Sequence, residues 1–190
     1  MNQETKSADT HSHTCPWWFI FTFDNPIRRM IHDPEKMLAP YVASGARVLD
    51  VGCGMGFATI GLATLVGEDG LVVAVDLQEQ MLAGVRKRAE RVGVTERVQL
   101  HQCTPDELGV DGPFDFALAF WMVHEVGRPE SFLSEIYAAL RPGGKLLIAE
   151  PRIHVTSKNF ERTVSQAEGA GFSVLERPQV RVSRAVLLGK

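Results

Sequence analysis

The chain has 190 residues, of which 45% are hydrophobic and 23% charged, with a net charge of −3. That length gives one domain with a proper core and falls short of two comfortable ones. The composition is that of a soluble globular protein, and the slightly acidic balance argues against a nucleic-acid binder, which carries a basic excess.

Residues 1–14 are polar and read as a mobile tail. An aromatic cluster follows, Trp17, Trp18, Phe19, Phe21 and Phe23, inside "CPWWFIFTF", an apolar run too short to span a bilayer. In "HDPEKMLAPYV", Asp33 is an N-cap candidate with Pro34 at the first helical position, and Gly45 ends that element. Residues 15–43 thus form an N-terminal aromatic and helical cover, ahead of a main domain from 44 to 190. From residue 46 the pattern is regular. "RVLDV" is a buried strand and "GFATIGLATLVG" a helix stopped by Gly67. "LVVAVD" is a second buried strand, and "LQEQMLAGVRKRAERVG" an amphipathic helix with Met81, Leu82, Val85 and Ala89 on one face. Its "RKRAER" run reads as a solvated face, the other reading being a phosphate-contacting patch. "RVQLHQC" and "FDFALAF" are the third and fourth strands. "RPESFLSEIYAALRPGG" is a helix, "KLLIAEP" a fifth strand, and "SKNFERTVSQAEGAG" a helix capped by Ser157. "FSVLE" and "VRVSRAVLLG" are two strands joined by the short turn "RPQ".

Strands alternating with helices predict an α/β fold, a doubly wound and mostly parallel sheet covered on both faces. The last two strands are too close in sequence for a parallel crossover, so they are antiparallel neighbours. The odd, unpatterned cysteines Cys15, Cys53 and Cys103 point to a reducing compartment. With no signal peptide in view, the expected location is the cytoplasm.

"VLDVGCGMGFAT", residues 48–59, places Gly52, Gly54 and Gly56 directly after the first strand. Three glycines in five positions suit a main chain that turns sharply and lets a ligand approach. In a sheet of this kind ligands sit beyond the carboxyl ends of the strands, near the point where strand order reverses. Asp50, inside the strand end, needs a positive or donor group to satisfy it. Asp76 ends the second strand, where a carboxylate accepts from ribose hydroxyls. The spacing is G-x-G-x-G, not the G-x-G-x-x-G that brings a helix start to a pyrophosphate, and an acid beside the loop suits a ligand with a positive end.

On these residues the chain resembles the class I S-adenosylmethionine-dependent methyltransferases. "VLDVGCGMG" matches the first motif of that superfamily, D-x-G-x-G-x-G, and "VVAVDLQEQML" the second. "FDFALAFWMVHEV" and "LRPGGKLLIAEP" resemble its fourth-strand segment and its turn into the fifth strand. The likeness covers roughly residues 44–190 and is closest to the small-molecule type 11 enzymes, including those of quinone biosynthesis. It implies the Rossmann-like methyltransferase fold, a seven-stranded sheet of order 3-2-1-4-5-7-6 with the last strand antiparallel. It also implies S-adenosylmethionine as cofactor and S-adenosylhomocysteine as product. Carried over by position, Asp50 and the backbone at Gly52, Cys53 and Gly54 would surround the methionine part, and Gly56 would permit close helix packing. Asp76 would take the ribose hydroxyls, and Leu77 would lie on the adenine. Cys103 and Thr104 would edge the adenine pocket, with Thr104 standing where the family often has an aspartate. Phe120 would offer its carbonyl to the cofactor's ammonium.

Methyl transfer from a sulfonium needs alignment and exclusion of water, and a general base only where the acceptor loses a proton. His124 and Glu125, just after the fourth strand, are the catalytic candidates, since histidine exchanges a proton near neutral pH. His124 capping local backbone or packing beside Trp121 is the competing reading, and Glu125 also reads as a solvated or capping residue. Glu150, at the end of the fifth strand, reads as structural. Trp17, Trp18 and Phe21 read as a roof over the cleft, with domain packing, a homodimer contact or a peripheral membrane contact as alternatives. The run His11, His13, Cys15 has metal-ligand chemistry but no fourth ligand, so no metal is expected. The amine-directed motif that ends the fourth strand in some relatives is absent, because residues 120–123 read "FWMV". The expected activity is therefore methylation of a small molecule, without nucleic acid and without stable membrane insertion. A non-catalytic module binding the same cofactor and a nicotinamide-dependent oxidoreductase are the alternatives.

Overall fold

The computed structural model describes residues 32–190. The polar tail, the cluster of Trp17, Trp18 and Phe21, and the His11–His13–Cys15 run lie outside the described residues. A five-residue helix α1, Pro34–Leu38, opens the described chain, and the Asp33 side chain accepts the Lys36 amide at 3.2 Å as its N-cap. It ends at Leu38, before Pro40, so Gly45 belongs to the following turn and not to the helix. Then come β1 (Arg47–Val51), α2 (Phe57–Val66), β2 (Leu71–Asp76), α3 (Glu79–Val92), β3 (Val98–Gln102) and β4 (Phe114–Phe120). The chain closes with α4 (Pro129–Ala139), β5 (Leu140–Pro151), α5 (Ser157–Gly169), β6 (Ser173–Glu176) and β7 (Ser183–Gly189).

The seven strands form one sheet in the order β3-β2-β1-β4-β5-β7-β6. Neighbours from β3 through β5 run parallel, and β7 runs antiparallel to both β5 and β6. This is the doubly wound sheet expected, with its antiparallel last strand. Strand order reverses between β1 and β4, so a crevice opens beyond the carboxyl ends of those two strands.

Alternation along the strands divides the core into two layers. Leu49, Val51, Val73 and Val75 pack with Leu133 and Ile136 of α4 and with Phe160 and Val164 of α5. Val48, Val72, Phe116 and Leu118 face the other way, against Leu38, Leu62, Ala63 and Val66 of α1 and α2. Asp50 shares the parity of Val48, so its carboxylate points toward α2. Three further boundaries differ from the sequence reading. Helix α4 stops at Ala139 and "LRPGG" lies in β5, because Leu140 pairs with Phe114 across the sheet before the register shifts. Thr156, not Ser157, caps α5, its hydroxyl accepting the Asn159 amide at 3.2 Å. The seventh strand begins at Ser183, since Val182 has φ +51° and leaves extended geometry.

Candidate functional site

The two fully buried acids among the described residues, Asp50 and Glu150, both stand near the carboxyl ends of parallel strands, on β1 and β5, with β4 between them. Asp50 faces α2, and Glu150, which shares the parity of Ile148, faces the layer of α4 and α5, so each acid marks one half of the candidate site.

In the first half, the loop from Gly52 to Gly56 joins β1 to α2. All three glycines have positive φ, between +53° and +84°. At Gly52 a Cβ would lie 2.8 Å from Met122 Cγ, so only glycine fits there. At Gly54 a Cβ would meet nothing within 4 Å, which leaves the backbone bare toward the crevice. At Gly56 the contact is Val85 at 3.3 Å, where α2 starts against α3. Cys53 is buried and its amide donates to the Val75 carbonyl at 3.0 Å, which pins the loop to β2. One Asp76 oxygen accepts the Gly54 amide at 2.9 Å and the other the Gln78 amide at 3.0 Å. Asp50 accepts from the Thr59 hydroxyl at 2.6 Å. Neither acid has a lysine, arginine or histidine partner among the described residues. Burial pushes the Asp50 carboxyl up to about 7 against the pull of Thr59, and the nearby Asp76 charge adds to the rise. Burial raises Asp76 as well, opposed by its amide hydrogen bonds.

Leu77 is half-buried beside these groups, and its carbonyl takes the Gln102 side-chain amide at 3.0 Å. Cys103 is half-buried and its amide donates to the Asp76 carbonyl at 3.1 Å. Thr104 is exposed, its hydroxyl engaged in a local turn with Glu107. Burial pushes the Cys53 thiol well up and the Cys103 thiol to about 11, so neither is a nucleophile near neutral pH. Phe120 is buried at the end of β4, its ring stacked on Trp121 with centroids 5.4 Å apart.

The second half begins with a sharp change of direction after β4. Trp121 has φ +61°, a left-handed conformation rare for a bulky residue and concentrated at functional sites. Its amide donates to Ala149 O and its indole to Ser183 Oγ, both at 2.8 Å. The turn Val123–Glu125 follows, and it brings His124 onto Glu150. The His124 Nδ1 lies 2.5 Å from Glu150 Oε2, and the His124 amide donates to Oε1 at 3.3 Å. The carboxylate beside the ring raises its proton affinity against the cost of burial. Glu125 Oε1 is 3.9 Å from His124 Nε2. His124, Glu150 and His154 line a cavity of about 510 Å³ whose far wall is α5, with Asn159, Arg162 and Gln166 on one helical stripe.

The sequence reading singled out nearly all of the first half and, of the second, His124 and Glu125. It passed over Thr59, a hydroxyl on the apolar face of α2, and it treated Glu150 as structural. His154 and Arg162 carry no sequence signal, because only the packing of α5 over the strand ends brings them in. No group of three or more histidine, cysteine or acidic residues among the described residues has the arrangement of a metal site. No helix among them is long and apolar enough to cross a membrane.

Residues 43–176 match a family model described as a methyltransferase domain. Over 124 residues the chain is 34% identical to the ubiquinone/menaquinone biosynthesis C-methyltransferase UbiE of Escherichia fergusonii, a match covering 63% of this chain and 49% of the relative. The chain thus spans about half the length of the curated relatives it matches. Its fold is similar to the crystal structure of a SAM-dependent methyltransferase from Aquifex aeolicus, with TM-score 0.83 and 28% identity over 93% of this chain and 99% of that one. The [4+2]-cyclase SpnF shares the fold at TM-score 0.66 and 24% identity, over 78% of this chain and 61% of that one.

Proposed function

The chain belongs to the methyltransferase-domain family, and from that premise we propose that it transfers a methyl group from S-adenosylmethionine to a small-molecule acceptor held beside His124. The observation that carries the reading is the pair Asp50 and Asp76, two shielded carboxylates without a counter-cation among the described residues, set against a bare glycine backbone. Buried charge of one sign calls for a ligand of the other. The donor set suits a ligand with a positive centre and a pair of hydroxyls, and it opposes a pyrophosphate, which two acids would repel. S-adenosylmethionine fits that description and nicotinamide dinucleotides do not.

In this reading Asp76 accepts from the ribose hydroxyls, because each of its oxygens keeps a lone pair beyond the amide it already accepts. Asp50 and the backbone of Gly52, Cys53 and Gly54 surround the charged amino-acid end, together with the Phe120 carbonyl. Gly56 lets α2 start close against α3. Leu77 covers the adenine face, with Cys103 and Thr104 at its edge. Bound there, S-adenosylmethionine supplies a methyl group on a positively charged sulfur, already activated. The protein's work is then alignment, for which effective molarities represent roughly 7–11 kcal/mol. Of the two catalytic candidates, His124 has the better geometry, since its ring faces the cavity and is fixed by Glu150. Glu125 stands behind its other nitrogen. The relative named for quinone biosynthesis favours a small acceptor, and the cavity volume accommodates one.

Calorimetric titration with S-adenosylmethionine, followed by detection of S-adenosylhomocysteine released in the presence of a metabolite library, tests the proposal. Binding with turnover is expected. Binding without turnover on any compound would mark a cofactor-binding module, and absence of binding would end both readings.

A further inference from the structure

The geometry points to Glu150 as the positioning residue of a His124 base, and to an acceptor that surrenders a proton as it is methylated: a phenol, an enol or an acidic carbon. The inference rests on the methyl-transfer reading above and adds the acceptor's chemical class.

A tertiary amine or a thioether takes a methyl group on a lone pair and needs no base. A site for such an acceptor would gain nothing from a fixed imidazole. Here the imidazole is fixed from two directions. Glu150 is 1% exposed, and both of its oxygens go to His124, one to Nδ1 at 2.5 Å and the other to the main-chain amide at 3.3 Å. Burying a carboxylate is costly, and tying down a surface turn does not require one. The arrangement makes Nδ1 the donor toward Glu150 and leaves the Nε2 lone pair as acceptor. The His124 side chain is 28% exposed and lines the cavity, so that lone pair is reachable.

The surroundings agree. On its own turn His124 faces Glu125, 3.9 Å from Nε2. From the segment after β5 the His154 ring lies parallel to it with centroids 6.2 Å apart. From α4 comes Glu130, held by the Gln166 side-chain amide at 2.8 Å. From α5 comes Arg162, which makes no hydrogen bond or ion pair among the described residues and supplies a positive charge to the cavity wall. That charge favours the anion left when an acceptor loses its proton. The proton passes from the acceptor O–H or C–H to Nε2, and the electron pair left behind forms the new bond to the methyl carbon. The pair of the broken methyl–sulfur bond stays on sulfur, and the imidazolium returns its proton to water.

The test uses the full chain, Glu150→Gln and Glu150→Asp. Nitrogen-15 titration of the imidazoles should place His124 above about 6.5 in the wild type, with Nδ1 protonated in its neutral form, and Glu150→Gln should bring it down to or below that value. Deuteriomethyl S-adenosylmethionine is then offered with phenols, enols and β-dicarbonyl compounds, set against tertiary amines and thioethers. Label is expected in the first group alone. Turnover near pH 7 should drop at least roughly tenfold in Glu150→Gln, with partial rescue in Glu150→Asp and cofactor affinity unchanged. Label confined to amines and thioethers, or in no compound of the panel, overturns the assignment, as does a Glu150→Gln rate and His124 titration equal to wild type. If Glu150→Gln fails to fold, the Glu150→Asp profile decides, an unaltered rate and pH dependence counting against the role. Failure of the wild type to bind S-adenosylmethionine would strike the methyl-transfer reading instead, while the His124 titration would still report on the dyad.

Discussion

The backbone amide of Gly54 donates to the carboxylate of Asp76 across 2.9 Å, so the bare glycine and the acid one strand over form a single unit. Removing the acid therefore has two effects, on binding and on stability. Asp76→Asn keeps the size of the side chain but halves its acceptor capacity, and should weaken S-adenosylmethionine binding roughly 10–100-fold, the worth of a hydrogen bond to a charged group. Its single oxygen keeps one of the Gly54 and Gln78 amides and leaves the other facing an NH2 group, whereas Asp76→Ala leaves both without an acceptor, so the alanine variant should lose more stability, by about 1 kcal/mol. Calorimetry and thermal unfolding read the two effects. Wild-type affinity in Asp76→Asn would remove this acid from the site.

Asp50 makes the empty protein pH-sensitive. Its carboxyl titrates at about 7 in the folded chain, against about 3.9 when unfolded. Between those values the folded state holds a proton that the unfolded state has released, so this contribution is fully present below about pH 4 and lost as pH rises through 7. Asp76 is raised by burial and adds the same sign. Asp50→Asn should flatten the slope: close to wild type at pH 4.5, and more stable at pH 8 by on the order of a few kcal/mol. Urea unfolding at the two pH values checks this. A positively charged ligand favours the ionised acid, so binding S-adenosylmethionine near pH 6 should release about one proton, measurable by calorimetry in buffers of different ionisation enthalpy.

Strands β1, β2 and β4 were legible to the residue, because each is a short, mostly apolar run that ends against a glycine loop, an acid or a change to polar sequence. The end of α4 was not. "LRPGG" has the composition of a helix terminus, and only the pairing of Leu140 with Phe114 draws it into β5. Thr156 and Ser157 are both competent caps, and local sequence does not choose between them. That Asp50, the glycines and Asp76 come together was readable because one strand–turn–helix–strand unit sets them. The other half depends on register. Phe120 pairs with Ala149, which puts Glu150 beyond the end of β4 and within reach of His124, and nothing near either residue encodes that match.

Gly52 and Gly54 should respond differently to alanine. Both have positive φ, so each substitution carries about 1–2 kcal/mol of backbone strain. At Gly52 the new Cβ also collides with Met122, 2.8 Å from its Cγ and 3.0 Å from its Cβ, adding about 1–3 kcal/mol of overpacking. Gly54→Ala meets no protein atom, so it should fold with a small loss of stability but place a methyl group where we propose the cofactor binds. The expected pattern is a large loss of stability for Gly52→Ala and a large loss of cofactor affinity for Gly54→Ala. The opposite pattern would move the ligand away from this loop.

Lys190 supplies a control far from the crevice. Its ammonium donates to the carbonyls of Tyr137 and Leu140 at 2.6 Å each and of Ala138 at 3.3 Å, and it lies 4.7 Å from the centre of the Tyr137 ring. These carbonyls belong to the last turn of α4 and its exit, where helical acceptors lack partners and a cation complements the helix dipole. Lys190→Met keeps the apolar stem and removes the charge. It should cost about 1–2 kcal/mol and lower Tm by roughly 2–8 °C in a chain of this size. Cofactor affinity and the His124 titration should stay at wild-type values, because Lys190 ties the end of α4 to the start of β5, whereas Asp76 and Glu150 stand at the carboxyl ends of β2 and β5. A parallel loss of affinity would mean that the C-terminal tie sets the geometry of the strand ends.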